Sequence, residues 1–386
     1  MARSKNVGRS KNPPKTAPTS ASSSKEKSKP TVPALLAKAQ SLMGEMDFEL
    51  ARKFVDRILE VEPNHFEARE MAGVMEAEEG NVDSARSIFI SLVPPSPTAR
   101  TPASHSAYLY LAQLTSDPRE ALSHYQAAVD ILLGLIKGKE RALPQQNDPA
   151  DPDPESEAGL KRTAISAIVA MVEIWMTSDL CMEPEAEQTC DSLISMALSA
   201  DPNNVEALDS LASVRLSQSR GEEAKQVVEK AWEITQSLEP DDPRYPPISS
   251  QLSLARRFLE LSLFSQALLL LQNILGMDDE EVDAWYLQGW CFFLMAQKVK
   301  ETGEKIEDLG WSELAQDARD CLEACKNFYT QGEHDDEELI GHVQELIQQL
   351  EEGGIKPSLE IEGDMDDGEG LEEDWEDEEE SDVEMG

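Results

Sequence analysis

Residues 33–92 read PALLAKAQSLMGEMDFELARKFVDRILEVEPNHFEAREMAGVMEAEEGNVDSARSIFISL, and their spacing decides the fold. Apolar residues recur at helical spacing through this stretch, broken at intervals by Gly or Pro, and strand-type alternation is absent from it. The pattern predicts two helical hairpins, Pro33–Leu42 with Phe48–Val61 and Phe66–Glu78 with Val82–Leu92. The second hairpin repeats the first in phase. Ala39 and Gly73 stand 34 residues apart, as do Ala51 and Ala85, Val55 and Phe89, Ile58 and Leu92, and the turn prolines Pro63 and Pro97. An ordinary helical bundle has helical periodicity, but it has no reason to repeat small residues at this fixed interval.

Outward from this stretch the register returns. Cys190 and Ala224 are 34 residues apart, and so are Ala255 and Gly289. The step from Ala212 to Ala255 is 43 residues, and the Pro-rich turn Pro240–Pro247 accounts for the excess. These spacings resemble tetratricopeptide repeats, in which small residues at the eighth and twentieth positions let two helices pack closely. On that pattern the eighth positions are Ala39, Gly73, Leu109, Ala212, Ala255 and Gly289, and the twentieth are Ala51, Ala85, Ala121, Cys190, Ala224 and Ala267. Pro63, Pro97 and Pro202 are the turn prolines, and Trp285-Tyr286-Leu287-Gln288-Gly289 is similar to the repeat's aromatic opening. Leu109 departs from the small-residue rule, and the fourth unit, near residues 160–200, has a lengthened turn between its helices.

The expected fold is all-α, a tetratricopeptide-repeat right-handed superhelical solenoid of about seven units over residues 32–330. A Pro/Asp-rich loop at 143–157 interrupts it. Trp311–Lys326 is amphipathic and is expected to supply a delayed second helix for the seventh unit. Residues 331–354, with Glu337–Leu350 helical, are expected to cap the last apolar face.

Charge divides the chain into three parts. The whole carries −42. Residues 1–31 hold eight Lys/Arg against one Glu among Ser, Pro, Thr and Asn, so a disordered basic head is expected. An acidic tail is expected over residues 355–386, where sixteen Asp/Glu face a single Lys. Between the ends, residues 32–356 carry −33. Such a chain repels nucleic acid, whose binding proteins neutralise phosphates with Lys and Arg, and its complement is a basic protein. Solubility alone is the other reading of the same charge. The scattered basic residues of the head fit either an import signal or a solvated arm.

No apolar run reaches the roughly eighteen residues of a membrane span, and no apolar core follows the basic residues of the head as in a secretory signal. Five cysteines in 386 residues suggest a reducing compartment, so cytoplasm and nucleus are expected. The five histidines are dispersed, and neither a phosphate loop nor a dinucleotide fingerprint is present. Cys321 and Cys325 lie one helical turn apart with His334 and His342 downstream; core thiols are the favoured reading over a metal site. The expectation is a binding protein with no enzyme activity, no metal and no cofactor.

In repeats of this kind the first helix of each unit lines the concave groove. By the register above, the second unit presents Glu67, Glu70, Met71 and Glu78, the fifth Glu206 and Asp209, and the last Asp283, Tyr286, Leu287, Trp290 and Phe293. Carboxylates beside aromatics suit a segment rich in Lys and Arg. Trp290 could equally pack on the next element, and the carboxylates could be plain solvent-facing charge. The co-chaperone class of these repeats grips an acidic peptide with Lys, Arg and Asn, but here Leu36, Gln40 and Met71 occupy the corresponding places.

The whole chain resembles the fungal assembly chaperones dedicated to large-subunit ribosomal protein four. A Lys/Ser-rich head, about seven repeats and the acidic end with Glu372-Glu373-Asp374-Trp375-Glu376-Asp377 carry the resemblance. It implies a chaperone that binds the long basic loop of that protein, escorts it to the nucleus and releases it on pre-60S particles. The acidic charge and the lack of a long apolar run point to no direct contact with nucleic acid or membrane. A histone chaperone and a general repeat scaffold are the alternatives.

Overall fold

The structure, a computed structural model, describes residues 31–99, 103–142, 153–177, 180–332 and 336–358. The basic head, most of the loop expected at 143–157, His334 and the acidic run after residue 358 lie outside the described residues. Among the described residues there are fifteen α-helices and no strand, only an isolated bridge between Ile306 and Leu309. None of these helices is long and apolar enough to cross a membrane. The chain divides into two compact units, residues 1–114 and 115–386, where the sequence pattern predicts one continuous run. The division falls in the short link that follows the fifth helix.

The first unit holds α1 (Val32–Gly44), α2 (Phe48–Val61), α3 (Phe66–Glu78), α4 (Val82–Leu92) and α5 (His105–Gln113). The second helix of each hairpin buries one stripe: Ala51, Val55 and Ile58 on α2, and Ala85, Phe89 and Leu92 on α4. Their three- and four-residue spacing puts them on one face of a helix. Gly73 is small because the Phe89 ring lies on it; a Cβ there would come within 2.9 Å of Phe89 Cζ. Phe89 in turn stacks on Tyr110 of α5, with ring centroids 4.8 Å apart.

Caps set where the first helix of a unit begins. The His65 Nδ1 accepts from the Ala68 amide at 3.3 Å, and the Ser104 hydroxyl accepts from the Ala107 amide at 3.4 Å. Each satisfies an amide that the first helical turn leaves without a partner. Counted from these starts, Gly73 is eighth in α3 and Ala112 is eighth in α5. The third unit therefore follows the small-residue rule through buried Ala112, and Leu109, assigned to that position from sequence, is a half-buried residue one turn earlier. The shift has a physical cause: α5 has only nine residues, so the second helix follows sooner than the repeat spacing places it.

The second unit runs α6 (Pro118–Ala142), α7 (Glu157–Trp175), α8 (Ala186–Ala200), α9 (Val205–Ser217), α10 (Gly221–Ser237), α11 (Ile248–Glu260), α12 (Phe264–Met277), α13 (Val282–Thr302), α14 (Trp311–Gln331) and α15 (Glu337–Glu352). One core runs from Val205 to Ile355 through α9–α15. The partner of α13 is α14, the helix delayed by the link after Thr302. Leu322 of α14 meets Gly289 of α13 as Phe89 meets Gly73: a Cβ on Gly289 would stand 2.8 Å from Leu322 Cγ. Burying such a leucine stabilises by about 2 kcal/mol. Cys321 and Cys325 sit in the same helix, and burial pushes both thiols up to about 12. Both are buried in the core of their unit, the place of a core thiol.

Candidate binding groove

Glu206 and Asp209 are brought together with a carboxylate and a guanidinium that the sequence reading missed. Asn204 caps α9 by accepting from the Ala207 amide at 2.9 Å, and Asp201 Oδ1 accepts from the Asn203 amide in the turn before it. This places Glu206 in the first turn and Asp209 one turn later, on the side of α9 that faces α7 and α11. Glu173 of α7 and Arg257 of α11 complete the group around a cavity of about 220 Å³. Serines of α9 and α11 line it as well, and Val169 and Met176 supply its apolar wall.

The carboxylates are crowded and differ in exposure: Asp209 and Glu206 are part-buried, while Glu173 keeps an exposed edge. Burial raises Glu173, with the Arg257 charge opposing; it raises Glu206, with the Ser166 hydroxyl opposing through a 2.7 Å hydrogen bond. Asp209 is pushed up to about 7, first by burial, then by Glu260 and Glu173 against the pull of Arg257 and Arg256. Its ion pair with Arg257 is loose, 3.7 Å from Nε to Oδ1, and neither of those atoms has a hydrogen-bond partner. Arg257 spends its Nη1 on Glu260 at 2.6 Å.

A second hollow of about 500 Å³ opens at the N-terminal ends of α7, α9 and α11. It shares Glu206 and Ser250 with the first, so one groove runs along the three helices. Leu238, Tyr245 and the prolines 243, 246 and 247 form one wall. The insertion that lengthens the 34-residue step to 43 is therefore part of the groove.

The other predicted residues are placed differently. In the first unit, Glu70 accepts from the Ser104 hydroxyl at 2.6 Å, Glu67 lies 3.4 Å from His65, and Glu78 is exposed. Burial raises the Tyr110 phenol, and the charges of Glu78 and Glu70 raise it further, so this tyrosine is the aromatic beside those two carboxylates. It is sixth in α5, a groove position once the helix is counted from His105. Met71, Leu287 and Phe293, read as groove residues, are buried in the cores of their units. Met71 and Leu287 are sixth in their helices and Phe293 is twelfth, and neighbouring helices cover all three, whereas Tyr110 at the sixth position of α5 is only half-buried.

At the far end, Asp283 is paired with Arg256 at 2.6 Å. Tyr286 shares a 2.8 Å hydrogen bond with His342 Nδ1 of α15, and Trp290 stacks on Tyr286 and meets the His342 ring edge-on. These aromatics hold the last helix of the fold, one of the two readings open from sequence. Among the described residues no three His, Cys, Asp or Glu side chains are placed so that they could hold a metal ion.

Comparison with known proteins agrees with this architecture. The tetratricopeptide repeat family matches residues 36–100 and 252–301. A Schizosaccharomyces pombe protein described as "Probable assembly chaperone of rpl4" is 33% identical over 307 residues, covering 79% of this chain and 85% of that protein. An Emericella nidulans protein of the same description is 29% identical over 322 residues, covering 80% of this chain and 77% of that one. The solved structure of "Assembly Chaperone of RpL4 (Acl4) (Residues 1-338)" superposes with a TM-score of 0.60 at 27% identity, covering 71% of this chain and 100% of that one.

Proposed function

Because this chain belongs to the family of proteins described as assembly chaperones of rpl4, we propose that it is a dedicated chaperone of that ribosomal protein. It binds the basic client, shields its RNA-binding surface and holds it until incorporation into the pre-60S particle. The observation that carries this reading is the 33% identity spread over 79% of the chain, too much to reflect the generic repeat alone. The groove of Glu173, Glu206 and Asp209 supports it, since carboxylates accept charge-assisted hydrogen bonds from Lys and Arg. So does the −42 net charge, which steers a cationic client and repels RNA.

The proposed cycle needs no catalysis, cofactor or membrane. Binding takes place in the cytoplasm, the complex enters the nucleus, and rRNA phosphates compete for the client's Lys and Arg at release. Purification of the protein from its native cytosol, with washes at stepped salt, tests this. The expected result is rpl4 as the main partner, lost only at high salt. Histones in its place would make the protein a histone chaperone, and a mixed set held at all salt concentrations would make it a scaffold.

A further inference from the structure

The cavity between α7, α9 and α11 is lined by three carboxylates and one arginine; Asp209 and Glu206 are part-buried, and Glu173 is exposed at its mouth. With Glu173, Glu206 and Asp209 ionised, Arg257 leaves two negative charges without a counter-charge inside it. The remaining charged neighbours of Asp209 are committed elsewhere: Glu260 accepts from Arg257, and Arg256 is bound to Asp283. The Asp209 Oδ1 is buried and accepts no hydrogen bond. Arg257 Nε, 3.7 Å away, is too far for a hydrogen bond, so the Asp209 carboxylate has acceptor capacity left over.

We propose that this cavity is a subsite for the guanidinium of a single arginine from a basic protein client. The inference rests on the client reading above and deepens it. Two features favour arginine over lysine, and a third suits the stem of either. The site offers carboxylates and serine hydroxyls from more than one helix, more acceptors than the three protons of an ammonium can use. A guanidinium is more weakly hydrated than an ammonium, so it leaves water for the cavity at lower cost. Val169 and Met176 give its methylene stem an apolar wall.

Occupation of the subsite is linked to proton release. Free, the cavity keeps Asp209 in part protonated near neutrality, because burial and the Glu173 and Glu260 charges outweigh Arg257 and Arg256. A guanidinium beside it favours the ionised form and expels that proton. Affinity for arginine therefore rises with pH between about 6 and 8.

The test uses the full chain and three Lys-rich peptides that differ only at the central residue: arginine, lysine or citrulline, the neutral isostere of arginine. Titration calorimetry from pH 6 to pH 8 reads affinity, and buffers of different ionisation enthalpy read the protons released. The expected result is about tenfold tighter binding of the arginine peptide than of the citrulline peptide, with a smaller margin over lysine. That preference should grow with pH and disappear in Asp209→Asn and in Glu206→Gln. Both are neutral isosteres, and thermal melts confirm that each remains folded. Equal binding of the three peptides, or a preference unchanged in both variants, would overturn the subsite. So would failure to bind any peptide by a chain that still binds rpl4, and that result would leave the client reading intact. A chain that binds neither the peptides nor rpl4 would sink both.

Discussion

At pH 8 an ionised Asp209 is a charge held among helices, loosely paired with Arg257. Its carboxyl is raised to about 7 from the ordinary value of 3.8, so the folded protein binds a proton more tightly than the unfolded chain does. The sign follows: stability contributed by this group is greatest below about pH 4 and falls as pH rises to about 7. Above that the penalty is complete, up to about 4 kcal/mol. Asp209→Asn removes it. Thermal melts should show the variant more stable than wild type at pH 8 and the margin smaller at pH 5. A margin that does not change with pH would mean that Asp209 is not held near neutrality. Tyr286 makes a different case. Its hydroxyl bonds to His342, so Tyr286→Phe should cost about 1 kcal/mol in urea denaturation and leave client affinity unchanged. A loss of affinity in that variant would return Tyr286 to the groove, where its repeat position put it.

Each hairpin depends on one close approach between its two helices. In α13 and α14 the approach is Gly289 against Leu322, with the Ala318 carbonyl also within 3.2 Å of where a Cβ would stand. Gly289→Val adds a branched side chain against a backbone carbonyl and a buried leucine. It should destabilise the protein by about 1–3 kcal/mol, read as a lower urea midpoint. The helices that make this contact were partly legible. Phe48–Val61, Phe66–Glu78 and Val82–Leu92 are the helices that apolar spacing predicts. The amphipathic stretch Trp311–Lys326 was legible as well, but not which of its residues meets Gly289, because the link before α14 moves Ala318 and Leu322 out of the 34-residue register. Glu173 was missed for a related reason: the lengthened turn of the fourth unit removes the marker by which a groove position on α7 could be counted.

For the whole molecule, charge acts at a distance from any contact. The segment 359–386 carries sixteen Asp/Glu and no Lys or Arg. Its removal should slow association with a basic client at low salt, by up to about tenfold, and leave dissociation unchanged. At high salt the truncated and full chains should associate equally fast, because screening shortens the reach of those charges to a few ångströms. Surface plasmon resonance at two ionic strengths checks this, and a change confined to the dissociation rate would assign the tail a direct contact instead. Acidity of the groove is less than its carboxylate count suggests, since Asp209 and Asp283 each face an arginine of α11. Those arginines are 48 and 27 residues away in sequence, and no repeat rule pairs them.

Spacing along the chain was enough to establish the all-α repeat fold, because a small residue must recur wherever two helices of a hairpin touch, and that requirement is written once per repeat. Charge and the placing of its extremes are likewise properties of the sequence. Which carboxylates stay charged and open is not. Glu206 and Asp209 share a cavity with Glu173 and Arg257 because three successive first helices lie side by side, while Tyr286 and Trp290, at equivalent groove positions, are occupied by His342 of α15. Periodicity tells which face of a helix a residue is on. Only tertiary contact decides what that face meets.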